Sequence, residues 1–238
     1  MKSYLFTALL IFCVCQLPAQ TPASSAVAQA SAPVRVAQTH TSDFGYSYSL
    51  PLDWEVVDTK PMVPVIKQQE IEKVTSEGEK KGIACSQFDL MAKYGNPASV
   101  IVVVALPHGC FERPLTEKDL SELAMGVSIG LKKKFKIADP VYGAYKIGSH
   151  SLWTERAAGT LIDHPEIKRT VETACSVLKK GVVCWMTMAA DPESLQTFER
   201  GAVMLDGESA APLVPDNAFQ AKKEIKIVNE KNGDPEKH

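Results

Sequence analysis

Seven consecutive apolar residues, Val100 to Leu106, constrain this chain more than any other feature. An extended run with no polar alternation has no face to offer water. It reads as a central strand covered on both sides. Its partner in a hairpin is the segment 83–91, with Gly95-Asn96-Pro97 as the turn signal between them. A chain with such a strand needs at least one layer of cover above and one below its sheet.

The remaining segments supply candidates for those layers. Phe44, Tyr46, Tyr48 and Leu50 alternate with Gly45, Ser47 and Ser49, the period of a half-buried strand, and Pro51 ends it. Trp54 and Val56 suggest a second short strand. Residues 61–80 read as a poorly amphipathic helix. Thr116 opens a clearer helix, with Asp119 completing a capping box and Leu120, Leu123, Val127 and Leu131 on one face. Lys132, Lys133 and Lys134 crowd its end. We read them as a solvated terminus favoured by the helix dipole, with a site for an acidic partner as the alternative.

Four strands follow, at 140–147, 151–161, 168–178 and 182–190, the last two joined at Lys179-Lys180-Gly181. Asp191-Pro192-Glu193 starts a last helix, with Leu195, Phe198, Ala202 and Leu205 on its apolar face. Strands and helices do not alternate regularly. The expectation is therefore an α+β domain with an antiparallel sheet.

The first 19 residues read as a signal peptide. Lys2 gives the positive start, Tyr4 to Leu17 the apolar stretch, and Leu17-Pro18-Ala19 a small residue before cleavage. The apolar stretch falls short of the roughly 20 residues that span a bilayer. Phe12 before Cys13 and Val14 before Cys15 do not match a lipidation site. Residues 20–42, rich in Ala, Ser, Thr, Pro and Gln, read as a flexible linker. The domain is expected over 43–206, and 207–238 as a polar disordered tail. The chain should be exported, to the periplasm or beyond. A formal net charge of -2 gives no electrostatic reason to expect nucleic acid as a partner.

Export leaves Cys85, Cys110, Cys175 and Cys184. An even number in an oxidising compartment favours disulfides. A turn at Lys179-Lys180 puts Cys175 opposite Cys184, and the Gly95-Asn96-Pro97 hairpin brings Cys85 near Cys110. The pairings are therefore Cys85–Cys110 and Cys175–Cys184.

Chemistry is thinly signalled. His108 lies two residues before Cys110, the only arrangement suggesting a thiol-dependent hydrolase. Asp163-His164-Pro165-Glu166 groups metal-ligand types, but a polar hairpin loop accounts for it. His40, His150 and His238 stand alone, and no HExxH spacing occurs. No catalytic residue, metal or cofactor is assigned. Trp54, Trp153 and Trp185 each lie on an expected strand, so they read as core. Phe44, Tyr46 and Tyr48 are the candidate ligand- or partner-binding residues, lining a groove if one sheet face is open.

The segment Phe44-Gly45-Tyr46-Ser47-Tyr48-Ser49-Leu50-Pro51-Leu52-Asp53-Trp54 resembles the opening of PsbP-like domains. That superfamily includes periplasmic DcrB-type and Mog-type Ran-binding proteins. Ile147-Gly148 leading to Trp153 is similar to the middle of such domains, and the closing hairpin before Asp191-Pro192-Glu193 to their end. The resemblance spans residues 43–206 and implies an α-β-α sandwich with a central antiparallel sheet. It also implies a non-enzymatic role, since members mostly bind or help assemble other proteins. The photosynthetic members stabilise a metal cluster on their partner, and no matching site is found here. Two disulfides and a long polar tail depart from the pattern.

The leading expectation is thus an exported binding or assembly module of the cell envelope, partnered by another envelope or secreted protein of unspecified identity. The alternatives are a hydrolase using Cys110 and His108, and a small-ligand sensor or adhesion component using the aromatic row.

Overall fold

A computed structural model describes residues 38–50, 52–123, 135–138, 140–190, 203–209 and 214–215. Its elements, in chain order, begin with three short strands: β1 (Thr39–Thr41), β2 (Tyr46–Ser49) and β3 (Glu55–Val56). Helices α1 (Val63–Lys73) and α2 (Glu77–Cys85) follow, then β4 (Gln87–Tyr94) and β5 (Ser99–Pro107). Two 3-10 turns, His108–Cys110 and Glu117–Asp119, lead to β6 (Phe135–Ile137), β7 (Val141–Ile147) and β8 (His150–Leu161). The chain closes through β9 (Lys168–Leu178), β10 (Gly181–Ala189), β11 (Val203–Leu205), β12 (Glu208–Ser209) and β13 (Val214–Pro215).

These form two antiparallel sheets, and the fold class is α+β as expected. The large sheet has the order β13-β7-β8-β9-β10-β5-β4-β3, with β6 also paired to β8. The small one has the order β1-β2-β11-β12. Strand β5 is central, between β10 and β4. Its residues divide between two cores. Val100, Val102, Val104 and Leu106 pack on one face with Ile83, Leu120 and Leu123. Ile101, Val103 and Ala105 pack on the other with Tyr46, Tyr48 and Leu205 of the small sheet. The apolar run is thus covered on both sides, helices and a 3-10 segment on one, the small sheet on the other. Each fully buried Val or Ile contributes roughly 1.5–3 kcal/mol, an upper bound given the compact unfolded chain.

The two disulfides join the pairs read from sequence. Cys175 and Cys184 are direct register partners on β9 and β10, with Cα atoms 4.2 Å apart. That short spacing is the closely approaching kind of antiparallel pair. Cys85, at the end of α2, joins Cys110 in the first 3-10 turn, at a Cα separation of 5.7 Å. This bridge ties the helical layer to the end of β5.

Several segments differ from expectation. The helix over 61–80 is two helices broken at Val74, and Cys85 ends the second of them instead of opening a strand. The α2 sequence is too polar for a helical stripe to show. Lys67 bridges the helices by donating to the carbonyls of Ala84 and Ser86, at 3.0 Å for the first. Burial lowers its pKa. Order begins earlier than residue 43, because Thr39–Thr41 pairs with Ser47–Ser49. It extends past 206, because Glu208–Ser209 pairs with β11 and Val214–Pro215 with β7. Val203–Leu205 is a strand on β2, so the apolar spacing of Leu205 does not reflect a helix there. The rest of that expected helix, with Phe198, lies outside the described residues, as do Val127, Leu131, Lys132–Lys134, the first 19 residues expected to be a signal peptide and the residues beyond Pro215.

Candidate functional site

The aromatic row does not line an open groove. Tyr46 and Tyr48 are each 1% exposed and Phe44 is partly buried. The small sheet lays this face directly on the large one, where Tyr46 meets Trp185 edge-on at 5.2 Å. Burial pushes both phenols up, with the Asp89 carboxylate adding to Tyr46 and Glu172 to Tyr48. Alternation in the sequence showed that one face is covered. It carried no information on whether a sheet or a ligand covers it.

A polar contact crosses this interface, and an ion pair within the large sheet lies on the same face. Asp89 occupies the register shift between Phe88 and Leu90, a bulge that turns its carboxylate to within 3.3 Å of His40 Nε2 on β1. Glu172, almost fully buried on β9, accepts from Arg156 Nε at 2.6 Å on β8. Burial raises the Glu172 pKa, and Arg156 opposes that.

The suggested thiol chemistry meets a different geometry. Cys110 Sγ is bonded to Cys85, so no free thiol stands beside His108. The His108 ring faces the Leu178 carbonyl at 3.1 Å through Nε2, which must carry the proton to donate. Among the described residues its Nδ1 is buried without a partner. In the loop between β8 and β9, His164 Nδ1 lies 3.3 Å from Glu166, both side chains exposed. Among the described residues no group of three or more His, Cys, Asp or Glu side chains is placed to hold a metal ion. No described helix is long and apolar enough to cross a membrane.

The three tryptophans divide. Trp153 and Trp185 are core, on opposite faces of the large sheet. Trp54 is also buried, but it lies at the rim, just before edge strand β3. Its ring stacks on Tyr94 of β4 at 5.9 Å and 19°. Tyr94 is itself 38% exposed, and the residues flanking Trp54 in the chain include the exposed Leu52, at 57%, and Val56, at 45%. Strand β3 pairs with only Lys93 and Ala92 of β4 and leaves its outer edge open. Surface apolar residues scattered singly mean little. Three at one sheet edge, Leu52, Val56 and Tyr94, beside a stacked aromatic pair, form a small patch of the kind that binds partners. The expectation that Trp54 is core holds, since it packs in the cluster beneath the small sheet. The signal for an edge position is Leu52-Asp53-Trp54-Glu55-Val56, which alternates apolar and acidic residues directly after Pro51 and is too short for a central strand.

A second group also escaped sequence reading. The turn between β11 and β12 carries Asp206, Gly207 and Glu208, and its carboxylates anchor the small sheet to two hairpin ends of the large one. Asp206 accepts from the Lys179 backbone at 3.1 Å and lies 3.4 Å from His150 Nε2. Glu208 accepts from the Ser149 backbone at 2.5 Å and from its hydroxyl at 2.8 Å, which lowers its pKa. Lys180 Nζ donates to the Asp43 carbonyl at 2.6 Å. Asp-Gly is a strong hairpin signal, and it marks this turn.

No family model and no curated protein sequence matches the chain. Among solved structures, the solution structure of cyanobacterial PsbP (CyanoP) from Synechocystis sp. PCC 6803 is similar, with a TM-score of 0.42 and 12% identity. The alignment covers 72% of this chain and 91% of that one.

Proposed function

We propose that this protein is an exported, non-enzymatic binding or assembly module that holds another envelope or secreted protein at the β3–β4 edge of its large sheet. One observation carries the reading: the exposed apolar side chains of Leu52, Val56 and Tyr94 beside an open sheet edge. Two disulfides suit an oxidising compartment.

The test is a pair of surface substitutions. Leu52→Glu with Val56→Glu places two charges on exposed positions, so the melting temperature should hold. Co-purification of the partner from the native envelope should be lost. Val141→Glu, 71% exposed on β7 toward the other side of the sheet, should keep the partner. Retention by the double variant, or loss in Val141→Glu alone, overturns the proposal.

A further inference from the structure

Where the β11–β12 turn of the small sheet meets the large sheet, it meets a histidine with an acceptor at each ring nitrogen. His150 opens β8. Its Nδ1 lies 3.0 Å from the Val177 carbonyl oxygen of β9, and its Nε2 lies 3.4 Å from Asp206 Oδ2. A carbonyl can only accept, so Nδ1 must carry a proton. In a neutral ring Nε2 then turns a lone pair toward a carboxylate. Only the imidazolium, with a proton on each nitrogen, makes both contacts attractive.

The carboxylate cannot easily turn away. Asp206 has a φ of +49°, uncommon for a residue with a side chain, and such backbone persists only where its surroundings fix it. Its N–H donates to the Gly45 carbonyl at 2.7 Å, and Oδ2 also accepts from the Lys179 backbone N–H. Oδ1 lies over Gly45, where a Cβ would come within 2.5 Å of it. The pair is nearly enclosed, with 14% of the His150 side chain and 7% of that of Asp206 exposed, so salt screens it weakly. Of the other charges near the ring, Glu208 follows in the same turn. Its carboxyl is held below the usual range chiefly by Ser149, and further by His150 and by Lys179 of the β9–β10 turn. On β7 the residue opposite His150 is the uncharged Ile147. Lys146 and Glu117 bond Ser151, one position along the strand and so on the other face.

We propose that His150 and Asp206 form a proton-operated latch: the imidazolium holds the β11–β12 turn on the large sheet, and loss of its proton loosens that turn and the β2–β11 ladder behind it. The sign follows from which form makes both contacts. The latch is closed at the acid end of the range where imidazole titrates, about pH 5 to 8, and opens as pH rises. Opening uncovers the inner face of β2, with Tyr46 and Tyr48, which otherwise packs on the large sheet. The second histidine at the interface behaves differently. His40 Nε2 lies 3.3 Å from Asp89, a contact that one proton satisfies and that a neutral ring can keep. The latch is independent of where a partner binds.

The experiment is amide hydrogen exchange of the full chain followed by NMR near the two ends of that range, about pH 5.5 and about pH 8. Rates are expressed as protection factors, which removes the intrinsic pH dependence of exchange. Protection of the β2 and β11 amides, relative to those of β5 and β10, should be about three- to tenfold higher at the acid pH. The ring nitrogen resonances of His150 should show a proton on both nitrogens there. Asp206→Asn tolerates the positive φ and still accepts from Lys179, but removes the charge, and should flatten the pH dependence. His40→Gln should leave it in place. Equal relative protection at both pH values, a single proton on the His150 ring at the acid pH, a pH dependence unchanged in Asp206→Asn, or one abolished by His40→Gln overturns the proposal. If Asp206→Asn does not fold, the wild-type protection and ring resonances decide the matter alone.

Discussion

The two disulfides should be unequal in worth, and the order follows from where they sit. Consider two variants, Cys85→Ala with Cys110→Ala, and Cys175→Ala with Cys184→Ala. A cross-link mainly restricts the unfolded chain, by an amount that grows with the loop it closes. The sequence separations are 25 and 9 residues. The chain-entropy relation then values the first bridge at about 3.5 kcal/mol and the second at about 2.7 kcal/mol. Context widens the gap. Cys175 and Cys184 lie in a hairpin whose strands already pair over nine positions, from Gly181 to Ala189, so their encounter is local without the bond. Cys85 and Cys110 lie just outside the β4–β5 ladder, which stops at Gln87 opposite Ala105, so no strand pairing holds the two cysteines directly. A domain of this size loses roughly 2–4 °C per kcal/mol. Thermal unfolding followed by circular dichroism should therefore show a drop of about 7–14 °C for the first variant and a smaller one for the second. A larger drop for Cys175/Cys184 would refute the loop-closure reasoning. Unchanged melting in either variant would show that its bridge contributes nothing.

Other perturbations have expected signs. Because Glu172 titrates above its ordinary value, its folded form favours the proton; that share of stability is fully present below the ordinary carboxylate range and is lost as pH rises through the raised value. Glu172→Gln should therefore raise stability at neutral pH and leave it unchanged in acid, as measured by urea unfolding at the two conditions; a loss at neutral pH would refute this. Asp119 behaves oppositely: the Arg113 guanidinium, bonded at 2.5 Å and 3.0 Å, holds its carboxyl well below the usual range, so its contribution is present at neutral pH and lost as pH falls. Asp119→Asn also removes half of the capping box with Thr116 and should cost about 1 kcal/mol at neutral pH, a difference that closes in strong acid. Gly181→Ala places a Cβ 2.1 Å from the Leu106 carbonyl oxygen and 2.9 Å from Pro107 Cα, backbone atoms of a central strand that cannot yield. It should cost more than about 2 kcal/mol in urea unfolding, and a neutral result would mean the β5–β10 ladder has slipped.

What was legible in the sequence divides by how local its cause is. Strands β7 to β10 were read to within a residue or two, because each is a long apolar or alternating run ended by a turn with its own chemistry. The clearest is Lys179-Lys180, which sets the register that pairs Cys175 with Cys184. The capping box at Thr116 and Asp119 was equally local and is present. The failures share a different cause. Thr39-His40-Thr41 and Val203-Met204-Leu205 are strands only because β2 lies between them, and neither has a pattern of its own. Leu205 fitted a helical spacing as well as an extended one, and tertiary pairing decided between them.

The binding surface shows the same limit. Period-two alternation placed Tyr46 and Tyr48 on one face, but a buried face and an open groove have the same period. The site proposed here lies instead where alternation was shortest, around Trp54. Its evidence is relational: an exposed Tyr94 stacked on a buried indole, exposed Leu52 and Val56 beside it in the chain, and a two-residue edge strand. None of these is a property of a residue or of a spacing, so each becomes visible only when β3 is set beside β4.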